Sequence, residues 1–182
     1  MNRSEILRAL RSETQFVDWD AVYESELGRI YNYFLYKLCN REVAQDLTAV
    51  TFERAWKARS KYNTRLASPG TWLLGIARNI FREHLRRNKV VENQVEFPQD
   101  NEKLPSAINV EQSFQEQQDK VLLQRLLLEL PERDHDLVAL KYGAGLSNRE
   151  ISKVTGLSES NVGSILHRIV TALRRKSDEC HE

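Results

Sequence analysis

The 182-residue chain carries 27 Lys/Arg against 26 Asp/Glu, with 41% hydrophobic residues, only 7 Gly and 4 Pro. That balance fits a soluble, helix-rich protein of one or two small domains and argues against a sheet protein. No apolar run nears the roughly 18 residues that span a membrane, and Met1 to Leu10 lacks the apolar core of a signal peptide, so a cytoplasmic protein without membrane insertion is expected. Two cysteines far apart, Cys39 and Cys180, make neither a disulfide framework nor a zinc site. The net charge of +1 conceals an uneven distribution. Residues 1–92 hold 16 Lys/Arg and 11 Asp/Glu, residues 93–120 hold 2 and 6, and residues 121–182 hold 9 of each. A basic module, an acidic connector and a neutral module imply different tasks, the first of them near phosphate.

In chain order, the spacing predicts a helix over Trp19 to Leu38 with Tyr23, Leu27, Ile30, Tyr31, Phe34, Leu35 and Leu38 on its inner stripe. Cys39 is read as core beside it, and Asn40 as a break. A second helix is predicted over Arg41 to Tyr62, with Val43, Leu47, Val50, Phe52, Ala55 and Trp56 inward. Ser68-Pro69-Gly70 reads as a turn. A third helix is expected over Thr71 to Asn88, with Trp72, Leu73, Ile76, Ala77, Ile80, Phe81 and Leu85 inward; Trp56 and Trp72 are both read as core. Between Val91 and Ser113 the period dissolves among Pro98, Pro105 and scattered acids, which predicts a flexible acidic linker. Helical period resumes at Val121, and Pro131 suits the first position of a further helix that ends near Gly143 and Gly145. The fold class is therefore all-α, two small helical domains over 1–92 and 118–182 joined by a linker over 93–117.

The sharpest local signal lies between Leu146 and Arg175. Ser147 and Glu150 form an S-x-x-E capping box, Gly156 suits the positive φ that ends a helix, and Ser158 can cap the next helix. Val162, Leu166, Ile169 and Leu173 face inward, and Gly163 and Ile165 are read as outward. Together these features predict a helix-turn-helix whose second helix enters a major groove. Asn161, Ser164 and Arg168 suit base edges and Arg149 suits a phosphate, with Ser160 and His167 on the same outward face. Along the third helix Arg78, Arg82 and Arg86 follow one another at four-residue spacing and, with Arg87, form a basic face fit for phosphates.

AQDLTAVTFERAW (Ala44 to Trp56), TWLLGIARNIFREHLRR (Thr71 to Arg87) and LPERDHDLVALKYGAGLSNREISKVTGLSESNVGSILHRIVTALRR (Leu130 to Arg175) resemble, in that order, regions 2 and 4 of extracytoplasmic-function RNA polymerase sigma factors. The resemblance implies a subunit that binds core RNA polymerase, recognises promoter −35 and −10 elements and promotes DNA melting. It implies that Gln45, Asp46, Ala49, Glu53 and Lys57 dock on the polymerase. It makes the loop Tyr62 to Thr71, through Asn63, Arg65 and Ser68, the reader of a melted −10 element, with Arg78, Asn79, Arg82, Arg86 and Arg87 on the adjoining single strand. The −35 duplex falls to Arg149, Ser160, Asn161, Ser164, His167 and Arg168. An anti-sigma factor is an expected further partner, and the acidic connector either threads the polymerase or merely tethers.

Two other binding classes compete: a helix-turn-helix regulator independent of polymerase, and a sigma-like protein that acts by binding polymerase or an anti-sigma factor. An enzyme is disfavoured, because His84, His135, His167 and His181 lack metal spacing and neither a phosphate loop nor a nucleophile motif occurs. No catalytic residue, metal or cofactor is expected.

Overall fold

The computed structural model describes residues 17–92 and 114–179. Seven α-helices follow in order among them: α1 Trp19–Leu38, α2 Arg41–Ala58, α3 Pro69–Glu92, α4 Phe114–Leu128, α5 Glu132–Val138, α6 Asn148–Thr155 and α7 Glu159–Glu179. A 3₁₀ turn, Arg59–Lys61, extends α2, and a π-helical turn, Ala139–Gly143, extends α5. The expected connector 93–117 lies outside the described residues except for its last four positions, where α4 has already begun.

Local chemistry fixes the ends. The Asp18 carboxylate accepts from the amides of Asp20 and Ala21, and Asn40 Oδ1 accepts from Val43 N, so each caps a helix whose first amides lack partners. Cys39 is the left-handed residue that closes α1, with φ of 51° and half-buried, rather than a core side chain. The expected turn at Ser68-Pro69-Gly70 is instead the start of α3: Pro69 is its first residue, where a missing N–H costs nothing, and Ser68 Oγ accepts from Thr71 N at 3.3 Å. A Cβ at Gly70 would meet the Glu26 carboxylate at 2.5 Å, so that side chain would have to swing aside to admit one.

Helices α1, α2 and α3 pack on one another around Ile30, Tyr33, Phe34, Leu73, Leu74, Ala77, Ile80 and Phe81. The predicted stripe of α1 is correct from Ile30 onward, but Tyr23 and Leu27 are 47% and 37% exposed. On α2 the buried face is Ala44, Thr48, Thr51 and Ala55, smaller than the expected one. Small side chains let α2 approach its neighbours closely, and the two hydroxyls return to the carbonyls of Ala44 (2.6 Å) and Leu47 (2.7 Å). Trp56 is not core: it is 53% exposed.

The second group of helices buries Leu126, Leu127, Leu137, Val138, Leu140, Leu146, Ile151, Val162, Ile165, Leu166 and Ile169. It also packs against the first. The π-helical turn lies on α1, and α6 lies on α3. Gly143 permits this approach, since a Cβ there would stand 2.9 Å from the Asn32 carbonyl oxygen and 3.1 Å from the Tyr36 ring.

Buried and half-buried polar groups stitch the two groups together. His135 Nε2 donates to the Tyr36 carbonyl at 2.7 Å, Arg29 Nε donates to the Ala144 carbonyl at 3.0 Å, and Lys37 Nζ donates to the Glu132 carbonyl at 3.4 Å. Burial, together with the Lys37 ammonium, holds the His135 imidazole below its ordinary range, against the smaller opposing pull of the Tyr36 carbonyl and Asp136. A base whose folded pKa is depressed stabilises the fold fully above its unfolded value. That contribution is lost as pH falls from about 6.5 toward the lower folded value. His135→Gln, which keeps a donor for Tyr36 O, is expected to flatten the fall in melting temperature between about pH 7 and pH 5.5. Parallel pH profiles of the variant and the parent protein, read by circular dichroism, would deny His135 that role.

Candidate functional site

Three surfaces collect the residues singled out in the sequence. The first is on α2. Gln45, Asp46, Ala49, Glu53 and Lys57 are all exposed, and Lys57 pairs with Glu53 at 2.5 Å. At 3.6 residues per turn, Trp56 lies nearly two turns beyond Ala49 and three beyond Gln45, on the same face and between those two in angle. The Arg59 guanidinium covers its ring at 4.0 Å. This exposed tryptophan was missed because an aromatic in a helical stripe was read as core. Its register with Ala49 was the available signal.

The second surface is the loop before α3 and the helix itself. Asn63 Oδ1 accepts from Arg65 N at 2.9 Å, and Tyr62 Oη donates to the Ala67 carbonyl at 2.8 Å, so the loop is braced from within. Beneath it Trp19, Tyr62 and Trp72 stack edge-on and tilted, with centroids 5.1 to 5.7 Å apart. Trp72 is thus half-buried in an aromatic cluster, and Leu66 stands 79% exposed at the loop. Asn63, Arg65 and Ser68 face solvent. Ser68 also caps α3, its hydroxyl 2.9 Å from Thr71 Oγ1.

Along α3, Asn79, Arg82, Arg86 and Arg87 are exposed, and Arg82 donates to Asn79 Oδ1 at 3.4 Å. Glu83 is bound bidentately by Arg54, at 2.8 and 3.0 Å, and that guanidinium holds its carboxyl below the usual range. Arg78 departs from the set. Its Nε and Nη2 each lie 2.8 Å from Asp136 Oδ2, and its Nη1 donates to the Val154 carbonyl at 2.5 Å. Tyr33 Oη donates to the other oxygen of Asp136 at 2.7 Å. The Arg78 and Asp136 side chains are each only 14% exposed. Burial first, then Asp136, pushes the Tyr33 phenol well above its ordinary value, so it stays a donor.

The third surface is the helix-turn-helix. The capping box is present: Ser147 Oγ accepts from Glu150 N at 3.3 Å, and Glu150 Oε2 accepts from Ser147 N at 2.8 Å. Gly156 has φ of 78°, as its position requires. Ser152 donates to the Leu157 carbonyl at 2.6 Å and locks the turn. Asn161 N donates to Ser158 Oγ at 3.3 Å. Arg149, Ser160, Asn161, Ser164, His167 and Arg168 are all exposed, and the five on α7 share one face. Ile165, expected outward, is buried at 9%, and so widens the inner stripe. Arg168 reaches Asp134 at 3.8 Å while remaining 67% exposed.

Comparison with known proteins matches both groups of helices. The family model of Sigma-70 region 2 matches residues 22–90, and that of Sigma-70 region 4 matches residues 120–173. The ECF RNA polymerase sigma factor RpoE of Cereibacter sphaeroides is 32% identical over 135 residues, which cover 74% of this chain and 68% of that protein. The chain belongs to the ECF RNA polymerase sigma factors. ECF sigma factor BldN of Streptomyces coelicolor is 27% identical over 158 residues, and the chain spans 58% of BldN's length. In fold, the chain is similar to a sigma factor RpoE solved in complex with the anti-sigma factor NepR from Bartonella quintana. That likeness has a TM-score of 0.69 at 18% identity, covering 87% of this chain and 95% of that one.

In this ECF sigma factor, region 2 comprises α1 to α3 and region 4 comprises α4 to α7. No described helix is long and apolar enough to cross a membrane, and no group of metal-ligating side chains forms among the described residues. The geometry separates roles that the sequence merged. Ser68→Ala is expected to cost about 1 kcal/mol through the lost cap, whereas Asn161→Ala, exposed on α7, changes stability by less than about 0.5 kcal/mol. Thermal unfolding of both variants checks this, and equal melting temperatures would remove the capping role from Ser68.

Proposed function

We propose that the chain binds core RNA polymerase through α2, reads a melted −10 element with the 62–71 loop and the basic face of α3, and reads a duplex −35 element with α7. It is not an enzyme, needs no cofactor, and acts in the cytoplasm, where its polymerase is. The observation that carries this reading is the coexistence of two chemically different nucleic-acid surfaces in one chain. A capped helix-turn-helix presents Ser160, Asn161, Ser164 and Arg168 on a single helical face, and such a face fits a major groove. A braced loop over an aromatic cluster adjoins exposed Arg82, Arg86 and Arg87, and cations beside accessible bases suit a single strand. A regulator that binds only duplex has no use for the second surface.

Docking on α2 combines the exposed Asp46 with the exposed Trp56. Exposed aromatics backed by a guanidinium are the usual anchors of protein interfaces, and truncating one commonly costs about 2 kcal/mol or more. An anti-sigma factor is a further partner, as a similar fold solved in complex with the anti-sigma factor NepR supports. The polymerase-binding experiment uses the whole chain with purified core. Trp56→Ala and Asp46→Lys are each expected to weaken capture at least tenfold while helical circular dichroism is unchanged, and undiminished capture by both variants rejects α2 as the docking face.

Replacing Arg82, Arg86 and Arg87 by Ala is expected to impair promoter opening more than duplex binding. Each lost phosphate contact should flatten the salt dependence of binding by roughly 0.7 to 0.9 log units per decade of salt. Permanganate footprinting of the polymerase complex reads the opening, and undiminished thymine reactivity would place the melted strand elsewhere.

A further inference from the structure

Apart from the three surfaces, one hollow collects charge that the chain itself leaves unbalanced. A cavity of about 360 Å³ opens between α1, α3 and α5. Its inner wall is formed by the buried rings of Tyr33 and Phe81, with the ion pair of Arg78 and Asp136 beside them, each 14% exposed. Its outer rim is Arg82 from α3 with Glu132 and Arg133 from α5, all exposed. The hollow therefore runs from a wet, charged mouth to a dry, aromatic end. A volume of this order suits a small organic ligand.

The charges around it do not cancel. Asp136 neutralises Arg78. Arg133 meets Asp134 at 2.9 Å, yet it stays 62% exposed and Arg168 draws on the same carboxylate. Arg82 pairs with no carboxylate among the described residues, and its hydrogen bond runs to Asn79 Oδ1 at 3.4 Å. Over the Phe81 ring, 4.5 Å from its centroid, lies the Lys37 ammonium, 4% exposed and bonded to the Glu132 backbone carbonyl rather than to an acid. Burial holds the Lys37 pKa below its ordinary value, and Arg78 and Arg82 push it the same way, against the larger pull of Asp136 and Glu132. A buried cation without a carboxylate is costly, and an anion at the mouth would offset that cost.

We propose that this cavity binds a small phosphorylated molecule, whose phosphate or diphosphate lies between Arg82 and Arg133. A guanidinium fork matches phosphate oxygens and holds them by charge-assisted hydrogen bonds. The Tyr33 and Phe81 rings give the organic part of the ligand an apolar wall. The backbone of a nucleic acid offers the same chemistry, but Arg133 stands on α5, off the basic face of α3, and the rings are recessed behind the rim. A free phosphate ester fits such a hollow, whereas a strand follows a face.

The test titrates the whole chain with inorganic pyrophosphate by calorimetry, in magnesium-free buffer of low ionic strength. The parent chain is expected to show a single saturable site. Arg82→Ala and Arg133→Ala should each weaken it about tenfold or more, since each removes a charge-assisted contact. Arg125→Ala takes the same charge from α4, where the side chain is 80% exposed and lines no part of the cavity, and should change affinity by less than about twofold. Glu132→Gln removes a carboxylate from the rim and should tighten binding about threefold. These side chains are all exposed, so helical circular dichroism is expected to be the same throughout.

A second arm titrates the parent and Arg133→Ala with a random-sequence single-stranded oligonucleotide. The two affinities should agree within about twofold, because Arg133 is off the strand face. A loss as large as that for pyrophosphate would give the cavity to the strand and overturn the small-molecule site. An oligonucleotide that binds neither chain counts against the strand role of α3 and leaves the cavity to the small anion. Pyrophosphate that fails to saturate the parent overturns the proposal. So does equal weakening by Arg125→Ala, which would mean diffuse attraction to surface cations, and so does Glu132→Gln that binds no more tightly than the parent.

Discussion

The Asp136 carboxylate is the constraint on which the arrangement of the chain turns. A carboxylate this poorly exposed is costly unless its charge is matched and its lone pairs are filled. Here the match is drawn from region 2: Arg78 on α3 supplies the charge and Tyr33 on α1 the second hydrogen bond. Because the partners sit on two helices of one region and the acid on a helix of the other, satisfying the acid fixes the register of regions 2 and 4 within the apolar core they share. Gly143 then decides how closely, since its missing side chain lets the π-helical turn rest on the backbone of α1. The helix-turn-helix is carried along, with α6 against α3 and the outer face of α7 in solvent.

That arrangement explains why surfaces with related tasks differ in accessibility. Arg82, Arg86 and Arg87 point away from region 4 or along its margin and are open, whereas Arg78, one turn earlier on the same face, is covered. On the outer face of α7, Arg168 reaches Asp134 only at 3.8 Å and stays 67% exposed, and so long an ion pair contributes little. The outer face of α7, proposed to read the −35 element, is therefore open, while the face of α3 proposed to bind the −10 strand is open only in part.

Much of this was legible in the residues. The bounds of α1, the capping box at Ser147, the helix end at Gly156 and the inner stripe of α7 follow from spacing and local hydrogen-bonding chemistry, which act over a few residues. The errors have physical reasons. Tyr23, Leu27 and Trp56 obey the helical period but fall at the margins of the packing, where Tyr23 meets α2 only edge-on through Phe52 and all three stay exposed. Ile165 breaks the assumed width of a stripe that is wider in a helix packed on two sides. The buried face of α2 was misjudged because Ala44, Thr48, Thr51 and Ala55 are too small and too polar to register as a hydrophobic pattern. The contact between regions 2 and 4 had no local signature. It joins residues 58 and 103 positions apart through one acid that, in sequence, is just another charge in a charged helix.

The account holds that one chain confers two-box promoter recognition on a polymerase. The most direct measurement is run-off transcription with purified core polymerase on a library in which the whole upstream region is randomised, followed by sequencing of the templates that yield transcript. The account predicts transcripts that depend on the added chain and templates enriched in two separate boxes at a narrow range of spacing. Enrichment of a single box or an inverted repeat, or no transcript while the chain alone binds duplex tightly, would contradict it.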